Sequence, residues 1–117
     1  MAELTVQDLT EAGTTLTMST CAGGGDEFDN SGNEFLLFVN DHGSNNYNIT
    51  ITVQDTSVED PQYGTLTKSF AAKACAAGSR TVVGPFPVKA YNDGDGHCNI
   101  TYSATPTSMK VAAIKIV

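Results

Sequence analysis

The sequence predicts an all-β domain, an antiparallel β-sandwich or jelly-roll-like barrel of about eight short strands. Three observations predict it. Strand-like segments recur along the chain, most clearly where Tyr47, Ile49, Ile51 and Val53 alternate with Asn48, Thr50, Thr52 and Gln54. Glycine, proline, asparagine and aspartate separate these segments at short intervals, and each of those residues favours turns. No long segment reads as a helix. The chain has 117 residues, so residues 1–117 are expected to form one domain, without an internal repeat or a dividing linker.

Taken in order, residues 4–9 read as a short first strand. Residues 14–19 alternate, with Leu16 and Met18 inward and Thr15, Thr17 and Ser19 outward. Residues 21–33 read as a long loop, with three consecutive glycines at Gly23, Gly24 and Gly25 and with Phe28 as its anchor. Residues 34–40 contain the apolar run Phe35-Leu36-Leu37-Phe38-Val39, which suits a central strand buried on both faces. A turn leads to the strand at 47–54. Residues 55–64 form an acidic loop closed by Pro61 and Gly64, and 65–70 are the next strand. The alanine-rich stretch 71–77 is too short for a stable helix on its own and reads as loop or one short helix.

The stretch 79–103 organises the rest. Arg80-Thr81-Val82-Val83 is β-branched and favours a pleated strand. Gly84, Pro85 and Pro87 stop it, because proline fixes φ and donates nothing to a ladder. Residues before proline are pushed towards extended backbone, so the chain should leave the sheet without coiling. Residues 91–96 are turn chemistry. Cys98, Ile100 and Tyr102 then share one strand face, and Asn99, Thr101 and Ser103 the other. After a turn at Pro106, residues 109–117 form a last strand that is apolar on both sides.

Charge and composition exclude several functions. The formal net charge is −7, from 13 acidic and 6 basic side chains. That argues against nucleic acid, whose binders cluster lysine and arginine to displace counterions. It argues equally against an anionic membrane surface. No run approaches the roughly 20 apolar residues that span a bilayer. The start, Met1-Ala2-Glu3-Leu4, has neither the basic nor the apolar part of a secretory signal. Cys21, Cys75 and Cys98 are an odd, sparse set without zinc-site spacing, and read as small buried thiols. Whether any two pair is left open.

The candidate sites are weak. Asp93-Gly94-Asp95-Gly96 resembles a calcium loop only superficially, since its twelfth position is Ala104 rather than a glutamate. Asp26, Asp29 and Asn30 are a second candidate for a cation, but both groups read better as polar surface turns. His42, beside Asp41 and Ser44, and His97 sit in turns that supply no triad geometry. Asn48-Ile49-Thr50 and Asn99-Ile100-Thr101 match the glycosylation pattern and read as strand residues. Tyr47 and Tyr102 are in phase with the core, leaving Tyr63 and Tyr91 as the tyrosines open to surface stacking. No catalytic residue, cofactor site or metal site is assigned.

The chain's plan resembles a family of small virion proteins of tailed bacteriophages. The resemblance lies in the opening Leu4-Thr5-Val6-Gln7-Asp8-Leu9, the loop Gly24-Gly25-Asp26-Glu27-Phe28, Phe35-Leu36 and Val39-Asn40. It continues in Gly84-Pro85-Phe86-Pro87, Tyr91-Asn92-Asp93, Thr101-Tyr102-Ser103 and the closing valine- and alanine-rich strand. It is closest in kind to the head decoration, or capsid cement, proteins. The segment Lys73-Ala74-Cys75-Ala76-Ala77-Gly78 departs from it, where related sequences carry a proline-bearing turn. The resemblance implies a virion protein on the outer capsid surface, made in the host cytoplasm. It implies that the partner is the major capsid protein lattice and that the state is a homotrimer, with no enzymatic role. The uncharged face of Thr50, Thr52 and Gln54, the end of the last strand, or an N-terminal strand adding to a capsid sheet edge would supply the contact. A carbohydrate-binding or adhesin-like β-sandwich is the alternative, and a head–tail joining or tail component is another.

Overall fold

The computed structural model describes residues 2–54, 57–60, 64–67, 70–103, 106 and 108–116. The fold is all-β, two sheets packed face to face, as the alternation predicts. The first sheet runs in the order β1 (Ala2–Leu4), β4 (Asp26–Asp29), β11 (His97–Tyr102), β6 (Tyr47–Ile51), β9 (Lys73–Cys75). The second runs β10 (Arg80–Val83), β5 (Glu34–Asn40), β12 (Met109–Ile116), β2 (Val6–Leu9), with β3 (Ser19–Thr20) also on β12. A hairpin, β7 (Ser57–Asp60) and β8 (Gly64–Thr67), stands apart. Among the described residues the single helical turn is α1 (Val88–Tyr91).

The core forms where the inner faces meet. Phe28, Ile49, Ile51 and Ile100 from one sheet lie against Leu36, Phe38, Met109 and Val111 from the other, all fully buried. These residues sit at every second position, because successive side chains of a strand point to opposite faces. Phe86 enters the same core from the corner after β10, against Phe28 and Tyr91 at ring-centroid distances of 5.9 and 5.6 Å.

Several expectations are corrected. There are twelve strands among the described residues rather than about eight. The sheets are mixed, not purely antiparallel, since β1 runs parallel to β4 and β2 parallel to β12. Both exceptions involve the predicted strand at 4–9, which breaks at Thr5: Leu4 ends β1 in the first sheet, and Val6–Leu9 form β2 in the second. The long loop 21–33 contains β4, whose Phe28 anchors it and is fully buried. Between 14 and 20, only Ser19–Thr20 joins a ladder, and Leu16 and Met18, expected to face inward, are half-buried outside the core cluster. The acidic loop 55–64 contains β7.

The alanine-rich stretch is neither loop nor helix throughout. Lys73–Cys75 extends along β6 and buries Cys75 opposite Tyr47. Backbone pairing with a neighbour there outweighs a helix too short to hold itself. The helical turn comes later, at Val88–Tyr91, just after the extended corner at 84–87. The run at 34–40 is buried on one face only: Leu36 and Phe38 are sealed, while Phe35, Leu37 and Val39 are half-buried.

Candidate functional site

The outer face of the second sheet carries an open apolar surface around Val82. Register places Val82 of β10 beside Leu37 of β5, and Leu37 beside Ala112 of β12. Val82 is 62% exposed, whereas Ala112 and Ile114, on the same outer face, are 2% and 3% exposed. The difference lies in the segment 10–18. It runs back from the end of β2 to β3 and is fastened to the outward-pointing Gln7, which donates to the Thr17 carbonyl at 2.9 Å and accepts from the Thr17 N–H at 2.8 Å. The chain therefore covers the β2 side of this face and leaves the β10 side open. There, Phe35, Val82, Gly84, Pro85, Gly32 and Asn33 line a shallow depression of about 490 Å³. Val88, 44% exposed, extends the apolar surface towards α1.

Buried polar groups hold the wall of this depression. Gly84 has φ of +126°, and a Cβ there would sit 3.0 Å from both Cα and Cβ of Phe35. Only glycine meets both conditions. The Gly84–Pro85 peptide bond is cis. Asn30 donates from Nδ2 to the Phe86 carbonyl at 3.0 Å and to Asn92 Oδ1 at 2.7 Å, and its Oδ1 accepts from Gly32 N–H at 3.1 Å. Asn92 returns a bond to the Asn30 carbonyl at 2.8 Å. The buried Glu34 carboxylate accepts from the Ser31 N–H, the Ser31 hydroxyl and the Asn33 N–H. Burial pushes its pKa up, but those donors outweigh it and hold the carboxyl below its usual range.

A second cluster lies on the outer face of the first sheet. His97 Nε2 is 2.7 Å from Asp29 and 3.5 Å from Glu3, and Nδ1 is 3.3 Å from Glu27. Pairing across β1, β4 and β11 gathers these side chains. Burial lowers the His97 pKa, but Glu27, Asp29, Glu3 and Asp93 together raise it above the ordinary value. Glu3, Asp29 and His97 offer ligand atoms within 4.8 Å of one another, as do Glu27, Asp93 and His97. When protonated, His97 is the counter-ion of these carboxylates and ties the N-terminal strand to its neighbours.

The two suggested cation groups have other uses. Asp93 Oδ1 accepts from the Asp95 and His97 N–H groups, and Oδ2 from Asn99. Those bonds lower its pKa and close the 93–97 turn on itself. Asp26, Asp29 and Asn30 are not brought together. Asp26 points into the core, where its Oδ2 accepts from Tyr102 at 2.6 Å. Asp29 points outward to His97, and Asn30 to Phe86. Asp26 Oδ1 is buried without a hydrogen-bond partner among the described residues.

The other singled-out residues are structural. His42 Nδ1 accepts from the Ser44 and Asn45 N–H groups and caps its own turn. Cys21, Cys75 and Cys98 are free and buried. Burial pushes the Cys21 thiol up to about 11 and Cys98 up to about 12. Tyr47 and Tyr91 are buried, and Tyr102 is half-buried with its pKa raised, first by burial. Tyr63 lies outside the described residues. Asn48 and Asn99 are in β6 and β11, as expected. The predicted strand at 47–54 ends at Ile51, and the backbones of Thr52 and Gln54 bond instead to Asn99 and Ala90.

Sequence reasoning missed the Val82 surface. Its signal was present in a β-branched strand followed by a glycine–proline corner, but which edge of the sheet stays open depends on pairing. In comparisons with protein-family models, curated proteins and solved structures, nothing matches the chain.

Proposed function

We propose that this chain is a virion structural protein that binds the outer surface of a tailed-bacteriophage capsid and cements the shell, as a homotrimer. The observation that carries this reading is the open apolar surface around Val82, set on a sandwich whose loops are tied down by buried side-chain bonds. Such a surface on an otherwise acidic body suits adhesion to another protein. The sequence resemblance to head decoration proteins supports the same role. The physics of cementing asks little of each contact. A trimer that bridges several shell subunits gains through effective concentration, on the order of 10²- to 10⁴-fold. Contacts present only in the closed lattice stabilise that lattice by mass action.

The test mixes the purified protein with undecorated heads. Saturable binding that raises the temperature of head disruption is the expected result. Co-sedimentation with tails alone would transfer the role to a tail or joining component. Binding to soluble sugars without binding to heads would make it a carbohydrate-binding module.

A further inference from the structure

We propose that the free edge of β10, with the outer face beside it, takes an extended segment of a partner chain whose apolar side chains are flanked by carboxylates. The inference rests on the shell-binding reading only for the partner's source. Its chemistry comes from three features of this surface.

The first is an open backbone edge. β10 pairs with β5 and, among the described residues, lies at the end of its sheet with no strand on its other edge. The Asn40 N–H bonds the Ser79 carbonyl and the Gly78 N–H bonds the Asn40 carbonyl, which sets the phase of the ladder. Thr81 and Val83 therefore turn their N–H and C=O groups towards β5, and Arg80 and Val82 turn theirs to the open side. An unpaired row of this kind is a template for another strand. The opposite side of the sheet is occupied by the chain itself, through the bonds between Gln7 and Thr17.

The second is what an added strand would touch. The depression formed by Phe35, Val82, Gly84 and Pro85 accepts apolar side chains from a strand on that edge. Native edge strands are usually guarded by charge or proline within the strand. Here Arg80 places a charge at the first position of the strand only, and the outward residue at the middle of the edge is the 62%-exposed Val82.

The third is sign of charge. Register sets Arg80 beside Val39 and Val39 beside Lys110, so the two residues stand in one row across the face, their backbones about 10 Å apart at two strand spacings. Both are exposed, as is Lys89 next to Val88. Among the described side chains of this sheet, no carboxylate points outward: Glu34 and Asp8 both lie in register with Lys115, on the inner side. On a chain of net charge −7 the β10 side of this face, away from segment 10–18 and its exposed Glu11, is locally basic among the described residues. It selects an acidic partner and disfavours a second copy of itself, which would oppose the same cations. Exposed charges of this kind speed and orient docking, while the backbone pairing and Val82 supply most of the affinity.

The experiment compares wild type, Val82→Asp, the double variant Arg80→Glu/Lys110→Glu, and Asn48→Lys on the other sheet. Each is sedimented with undecorated heads over a range of salt, with circular dichroism melts to verify folding. Wild type and Asn48→Lys should bind alike. Val82→Asp should bind about 30-fold more weakly, the size of a central hot-spot loss, and the double variant should lose the salt dependence. Wild-type binding matched within threefold by both surface variants would overturn the inference and leave the cementing reading intact. If wild type binds no heads, the cementing reading falls, and a titration of ¹⁵N-labelled protein decides the inference alone. Its probe is the peptide Asp-Val-Glu-Val-Asp-Val-Glu, with a lysine-for-acid analogue as comparison. Shifts centred on the Arg80 and Val82 amides with the acidic peptide would support the inference. Equal response to the lysine analogue, or shifts centred elsewhere, would overturn it.

Discussion

Replacing Asn30 with alanine tests whether buried amides, rather than packing alone, hold the corner that shapes the open face. Asn30 is 7% exposed and joins three segments: the loop before β5, the corner at Phe86, and the end of α1 at Asn92. The bond to the Phe86 carbonyl is buried, so truncation strands that acceptor, at a cost of about 1–3 kcal/mol. The bonds with Asn92 and Gly32 are partly buried, and water can replace part of each, so each loss costs about 0.5–1 kcal/mol. The sum is about 3 kcal/mol, a large share of the roughly 5–15 kcal/mol typical of a domain. The melting temperature should fall by about 12 °C, at about 4 °C per kcal/mol for a chain of this size. Urea unfolding by circular dichroism gives the free energy directly. Asn30→Asp keeps the shape but removes both donors, and should cost at least as much. In a cycle with Asn92→Ala, the double variant should lose less than the sum by at least about 0.5 kcal/mol, because the two amides bond each other. A loss below about 1 kcal/mol for Asn30→Ala, or a neutral Asn30→Asp, would refute the assignment of this corner to hydrogen bonding.

Two further outcomes follow from named geometry. Gly84→Ala must adopt a positive φ and press against Phe35, so it should destabilise by about 2–4 kcal/mol and lower the melting temperature; an unchanged melt would show that the corner is not tightly packed. His97 has a pKa above its ordinary 6.5 in the folded protein. Its contribution is therefore complete below pH 6.5 and disappears as pH rises through the raised folded value. The stability gap between wild type and His97→Gln should be larger at pH 6 than at pH 8.5 in urea titrations, and a gap independent of pH would remove the carboxylates from the explanation.

Much of the strand content could be read directly. Tyr47, Ile49 and Ile51 alternate with polar neighbours, and β6 buries those three. Cys98 and Ile100 face inward as their spacing requires, and the apolar run at 34–40 is a central strand. The glycine–proline corner follows β10 where proline chemistry places it. Local residues decide these features, because a period of two and a missing N–H act within a few residues. Less legible were β4, embedded among glycine and acids, and β9, which looks like a helix fragment until β6 supplies a neighbour to pair with.

Taken alone, the residues determined an acidic, strand-built domain with its turns near the right places, since alternation and turn chemistry are written locally. Tertiary structure decided the parallel placement of β1 and β2, the hydrogen bond between the Asn30 and Asn92 side-chain amides across 62 positions, and the row of Arg80 and Lys110. It also decided that Val82 is left uncovered while Ile114 is not. The reason is physical: strand pairing brings together residues far apart in the chain, and which edge stays free depends on how every other strand has already been paired.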